Sequence, residues 1–104
     1  ERGEDPLDCA KRELSEETGY TAQTWHSLGA IYPSPGFCKE VLHLYIATGL
    51  QKGEAHPDAD EFLSVHEVTF AELVEMIMSN TLTDAKTVVG VLKAERFLKE
   101  RGIL

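Results

Sequence analysis

The sequence predicts a mixed α/β fold, a sheet covered by helices, and three observations carry that reading. A well-capped helix signal opens the chain, runs of strand type fill its middle, and two more capped helix signals close it. The hydrophobic fraction of 42% against 27% charged residues is that of a globular protein, so an apolar core is available to hold the layers together.

The first helix is predicted over Pro6–Thr18. Asp5 is a good N-cap, Pro6 suits the first helical position, and Asp8 stands three residues after the cap in capping-box register. Leu7, Ala10 and Leu14 recur at helical spacing and mark the stripe expected to be buried. Gly19 is placed to stop the helix in the left-handed conformation. Thr24–Tyr32 reads as a strand that ends in the Pro33-Ser34-Pro35-Gly36 turn, and Val41–Ala47 as a second. Gln51–Asp60 is a polar loop, and Phe62–Val68 reads as a third strand. Thr69 and Glu72 form a capping box ahead of Leu73, Val74 and Ile77, and Asn80 closes that helix. Thr83 or Asp84 caps a last helix whose Val88, Val91, Leu92 and Leu98 are expected to face inward, with Gly102 at its end.

Charge narrows the function. Ten Lys and Arg against 18 Asp and Glu give −8 at pH 7, which argues against a nucleic-acid partner. No apolar run reaches the roughly 20 residues of a membrane span, and no secretory signal is visible. Cys9 and Cys38 fit neither a disulfide framework nor a CxxC site, so they read as reduced thiols and the expected location is cytoplasmic. His26, His43, His56 and His66 are scattered, without zinc spacing. The chain opens at Glu1 without an initiator Met, so it is expected to be clipped or part of something longer.

The chemistry concentrates on the first helix. Glu13, Glu16 and Glu17 stand at i, i+3 and i+4, within about 100° of one another and roughly opposite the apolar stripe. Like charges at this spacing cost roughly 0.2–0.5 kcal/mol per pair. The helix dipole disfavours anions in the last turns by about 0.3–1 kcal/mol. Arg12 can pair with Glu16 but cannot neutralise three carboxylates. A hard divalent cation reverses the sign of the arrangement; a solvated acidic face with one ion pair is the plainer alternative.

The wider string resembles the Nudix box. Glu4, seven residues, then Arg12-Glu13-Leu14-Ser15-Glu16-Glu17-Thr18-Gly19-Tyr20 match every fixed position from the first Glu onward. The opening Gly of the box would fall before Glu1. The Pro33-Ser34-Pro35-Gly36-Phe37 loop, the acids Asp58, Asp60 and Glu61, and Asp84-Ala85-Lys86-Thr87 are similar to the ADP-ribose pyrophosphatase branch. Pro35 lies 15 positions after Tyr20, as that branch has it.

This resemblance implies a Nudix-type mixed sheet sandwiched by helices. Residues 1–104 would form a single, partial Nudix domain, with the strands that precede the box apparently missing. It implies Mg²⁺, or Mn²⁺ in its place, held by Glu13, Glu17 and Glu16, with Glu4 as an outer or occasional ligand. Arg12 would orient the carboxylates, Glu61 would be the catalytic base ahead of Asp60, and Pro35 and Gly36 would shape the substrate site. The implied reaction is hydrolysis of ADP-ribose to AMP and ribose 5-phosphate, by a homodimer. The alternatives are another nucleoside diphosphate sugar as substrate, or a catalytically silent interaction module.

Overall fold

The computed structural model describes residues 3–34, 40–53 and 66–104. The element order is α1 (Pro6–Thr18), β1 (Tyr20–Ile31), β2 (Leu42–Lys52), α2 (Phe70–Met78) and α3 (Ala85–Glu100). The fold is mixed α/β, as expected from sequence, and its described sheet is one antiparallel pair, β1–β2.

α1 has the predicted bounds. The Asp5 carboxylate accepts hydrogen bonds from the Leu7 and Asp8 amides, satisfying two donors that a helix start leaves without partners. Gly19 ends the helix at φ 78°, and its amide donates to the Ser15 carbonyl. The Leu7, Ala10 and Leu14 stripe is only half-buried, and α1 has no fully buried residue.

Both strands are longer than the sequence suggested. β1 begins at Tyr20, directly after the Gly19 turn, and β2 runs on through Gly49 to Lys52. Polar Thr21 and Gln23 hide the start of β1, and the end of β2, exposed from Thr48 to Lys52, shows no apolar alternation. The register sets Gly19 beside Gly53 and Gln23 beside Gly49. The Gly53 amide donates to the Gly19 carbonyl at 2.7 Å, and a Cβ added at Gly49 would lie 3.0 Å from that of Gln23. Of the expected third strand, residues 62–65 lie outside the described residues. His66–Thr69 carry no regular structure and lead into the α2 cap instead.

The chain divides into two compact units, residues 1–26 with 47–66 and residues 27–46 with 67–104. In the second, Thr69 and Glu72 form the reciprocal capping box of α2, and Asn80 takes the left-handed conformation (φ 63°) just past its end. Asp84, rather than Thr83, caps α3 by accepting from the Thr87 amide. Leu28, Ile77, Val91 and Ala94 are the buried apolar residues of the described chain, and all four belong to this unit. Leu92, expected to face inward, is 42% exposed; Ala94, one helical turn beyond Val91, takes the inward position.

Candidate metal centre on the first helix

The carboxylates of α1 are organised around one arginine. Arg12 donates from Nε to Glu4 Oε2 at 3.1 Å and from Nη2 to Glu4 Oε1 at 3.0 Å, a fork on a single carboxylate. Its Nη1 donates to Glu16 Oε1 at 2.8 Å, one helical turn on. Arg12 and Glu4 are half-buried, whereas Glu16 is exposed. The guanidinium therefore bridges the chain before α1 to the acidic face of the helix. It holds the Glu4 carboxyl below the usual carboxylate range, chiefly through the hydrogen bonds, and its own pKa is pushed up by Glu4 in return.

Glu13 has a partner that the sequence did not suggest. Cys9, one turn earlier, donates its S–H to Glu13 Oε1 at 3.3 Å, and this bond raises the thiol pKa. Cys9 and Glu13 share a face at i, i+4, a spacing legible in the sequence but overlooked because a lone cysteine carried no motif. Glu17 is exposed, and among the described residues no hydrogen bond or ion pair engages it.

Arg12 Nη2 also donates to Cys9 Sγ at 3.7 Å, so Glu4, Arg12, Glu16, Cys9 and Glu13 form one string of contacts along α1, with Glu17 beside them. Among the described residues, no three carboxylate, imidazole or thiol groups already converge as a metal cage. That donor set still fits Mg²⁺, a hard ion that needs only one or two protein carboxylates, keeps several waters, and takes the rest of its oxygens from substrate phosphate. Glu61, Pro35 and Gly36 lie outside the described residues. Pro33 lines a 290 Å³ cavity with Glu40, Leu42, Asp84, Ala85 and Lys86. Lys86 is ion-paired to Asp84 at 2.9 Å there, which leaves the cavity without a free cation among its lining residues.

The NUDIX domain family model matches residues 1–88. The chain belongs to the NUDIX family. The methanol dehydrogenase activator of Bacillus methanolicus is 43% identical over 97% of this chain and 57% of its own length. The ADP-ribose pyrophosphatase of Bacillus subtilis (strain 168) is 41% identical over 88% of this chain and 50% of its own. A GDP-mannose pyrophosphatase from Cronobacter sakazakii is 33% identical over 97% of this chain and 52% of its own. The chain spans about half the length of these relatives. The fold is also that of a solved structure described as an ADP compounds hydrolase, with a TM-score of 0.87 at 22% identity over 100% of this chain and 56% of that one.

Proposed function

We propose that this chain is the metal-binding part of a NUDIX pyrophosphohydrolase that cleaves ADP-ribose to AMP and ribose 5-phosphate, with Mg²⁺ or Mn²⁺ as cofactor. The observation that carries the reading is the acidic face of α1, Glu13, Glu16 and Glu17 at i, i+3 and i+4, with Arg12 bonded to Glu16 and forked on Glu4. Likeness to an ADP-ribose pyrophosphatase supports the substrate class. Residues 1–104 are read as one partial domain, supported by the family match over residues 1–88. The proposed whole protein is a cytoplasmic homodimer without nucleic-acid or membrane partners. No helix among the described residues is long and apolar enough to cross a membrane.

Glu13, Glu16 and Glu17 would hold the cation. Bound there, it supplies neutralisation of the diphosphate oxygens and a lowered pKa for a water. Arg12 orients Glu16 and ties the helix face to Glu4, which lies outside the ligand set or joins it as an occasional ligand. Glu61 takes the proton of the attacking water on its carboxylate, and Pro35 and Gly36 shape the pocket for the substrate's sugar. Glu61→Gln is expected to lower kcat by about 10²–10⁴-fold while leaving Mg²⁺ half-saturation nearly unchanged. Wild-type turnover in that variant removes Glu61 as the base.

A second reading shares the site and changes only the substrate. The likeness to GDP-mannose pyrophosphatases favours another nucleoside diphosphate sugar. Comparing kcat/KM for ADP-ribose and GDP-mannose in the full-length protein separates the two.

A further inference from the structure

The junction between α1 and β1 carries more polar bonds than the end of an ordinary helix requires. The Thr18 hydroxyl donates to the Leu14 carbonyl at 2.6 Å and accepts from the Tyr20 amide at 3.1 Å. The Gly19 amide donates to the Ser15 carbonyl at 2.9 Å, and the Gly19 carbonyl accepts from the Gly53 amide at 2.7 Å. Ser15 owns one of the last four carbonyls of α1, which the helix itself leaves unpaired, and Leu14, one residue earlier, gains the Thr18 hydroxyl as a further donor. Gly19 supplies the Ser15 partner, and Thr18 and Gly19 each also bind the chain beyond the helix, Thr18 to the first residue of β1 and Gly19 to the residue after β2.

The four bonds enclose the last turn of α1, where Glu16 and Glu17 stand. An exposed last turn ordinarily frays, and its side chains then sample many directions. Glu17 has no hydrogen bond or ion pair among the described residues, so its direction depends on the backbone beneath it. Gly53 fits this role sterically as well: a Cβ there would lie 3.1 Å from the Gly19 carbonyl oxygen, closer than ordinary contact allows.

We propose that Thr18, together with the Gly19–Gly53 bond, positions Glu16 and Glu17 for the cation by clamping the last turn of α1 to the start of β1 and the end of β2. Neither Thr18 nor Gly53 touches the cation; both act through the backbone that carries the two carboxylates. The inference rests on the reading of those carboxylates as Mg²⁺ ligands given above.

Thr18→Val keeps the shape and removes the hydroxyl, whereas Thr18→Ser keeps the hydroxyl. In the full-length protein, Mg²⁺ uptake by calorimetry and Mg²⁺ half-saturation of turnover are compared with the melting temperature. The expected result is about tenfold weaker Mg²⁺ binding in Thr18→Val, as when an outer partner of a metal ligand is lost, and near wild-type binding in Thr18→Ser. A purely structural role lowers the melting temperature of Thr18→Val and leaves Mg²⁺ binding by the folded protein unchanged; that result overturns the proposal alone. Thr18→Ser binding as weakly as Thr18→Val overturns it too. Should Thr18→Val fail to fold, Gly53→Ala carries the same expected loss and is overturned by the same unchanged binding. Absence of Mg²⁺ uptake by the wild-type protein overturns the metal reading itself, and this inference with it.

Discussion

Arg12 is where the chemistry of the site is most directly encoded. A guanidinium with five donors in a fixed plane can fork onto Glu4 and still reach Glu16, whereas an ammonium offers a single point of charge. Arg12→Lys is therefore expected to weaken Mg²⁺ half-saturation by about tenfold or more, with α1 still formed by circular dichroism. An unchanged half-saturation shows that the fork does not organise the carboxylates. The same contact predicts a pH dependence. Arg12 depresses the Glu4 pKa in the folded state, so this contribution to stability is fully present above the unfolded value of about 4.3. It is lost as the pH falls through the lowered folded value. Melting temperature should drop over that acid range, and Glu4→Gln should flatten that part of the profile. A Glu4→Gln profile parallel to wild type contradicts the assignment. The Arg12–Glu16 pair was legible because i, i+4 spacing fixes it on any helix. The fork onto Glu4 was not, since Glu4 lies before the N-cap and its direction depends on how the chain enters α1. Cys9 was overlooked for a different reason: its spacing to Glu13 was plain, but a thiol beside a carboxylate matches no familiar pattern.

The helices were readable because capping is local chemistry. Asp5 with Pro6, Thr69 with Glu72, and Asp84 with Thr87 each satisfy amides within three residues, so a short string of sequence decides where the helix starts. The strand ends were not readable. Thr48-Gly49-Leu50-Gln51-Lys52 has the composition of a loop and becomes strand because β1 offers it a partner, a fact that lies elsewhere in the chain. Inward faces fell between these cases. α3 buries Val91 and Ala94, and the large Leu92 between them points outward, because helical rotation outranks side-chain size. Packing at this scale is testable at Ile77, one of the four buried residues of the second unit. Ile77→Ala is expected to cost about 2–5 kcal/mol in urea unfolding. A loss under about 0.5 kcal/mol, the size of an ordinary surface change, contradicts its place in the core.

At the scale of the whole molecule, the net charge is −8, and gathering three of the 18 acids on one helix face is costly without a compensating cation. Family membership explains the concentration: the match over residues 1–88 contains the box residues Glu4, Arg12, Glu13, Glu16 and Glu17. Glu13, Glu16 and Glu17 could be placed on one face from their i, i+3, i+4 spacing, whereas the box that also includes Glu4 was recognised by resemblance. The residues expected to complete the site, Glu61 with Pro35 and Gly36, lie outside the described residues, and only family likeness suggested their roles. Mg²⁺ binding at the α1 carboxylates is tested most directly by titration calorimetry of the full-length protein. With a non-hydrolysable ADP-ribose analogue present, the wild-type protein should take up Mg²⁺ and Glu17→Gln should do so at least about tenfold more weakly. Equal uptake by Glu17→Gln, or no uptake by the wild type, contradicts it.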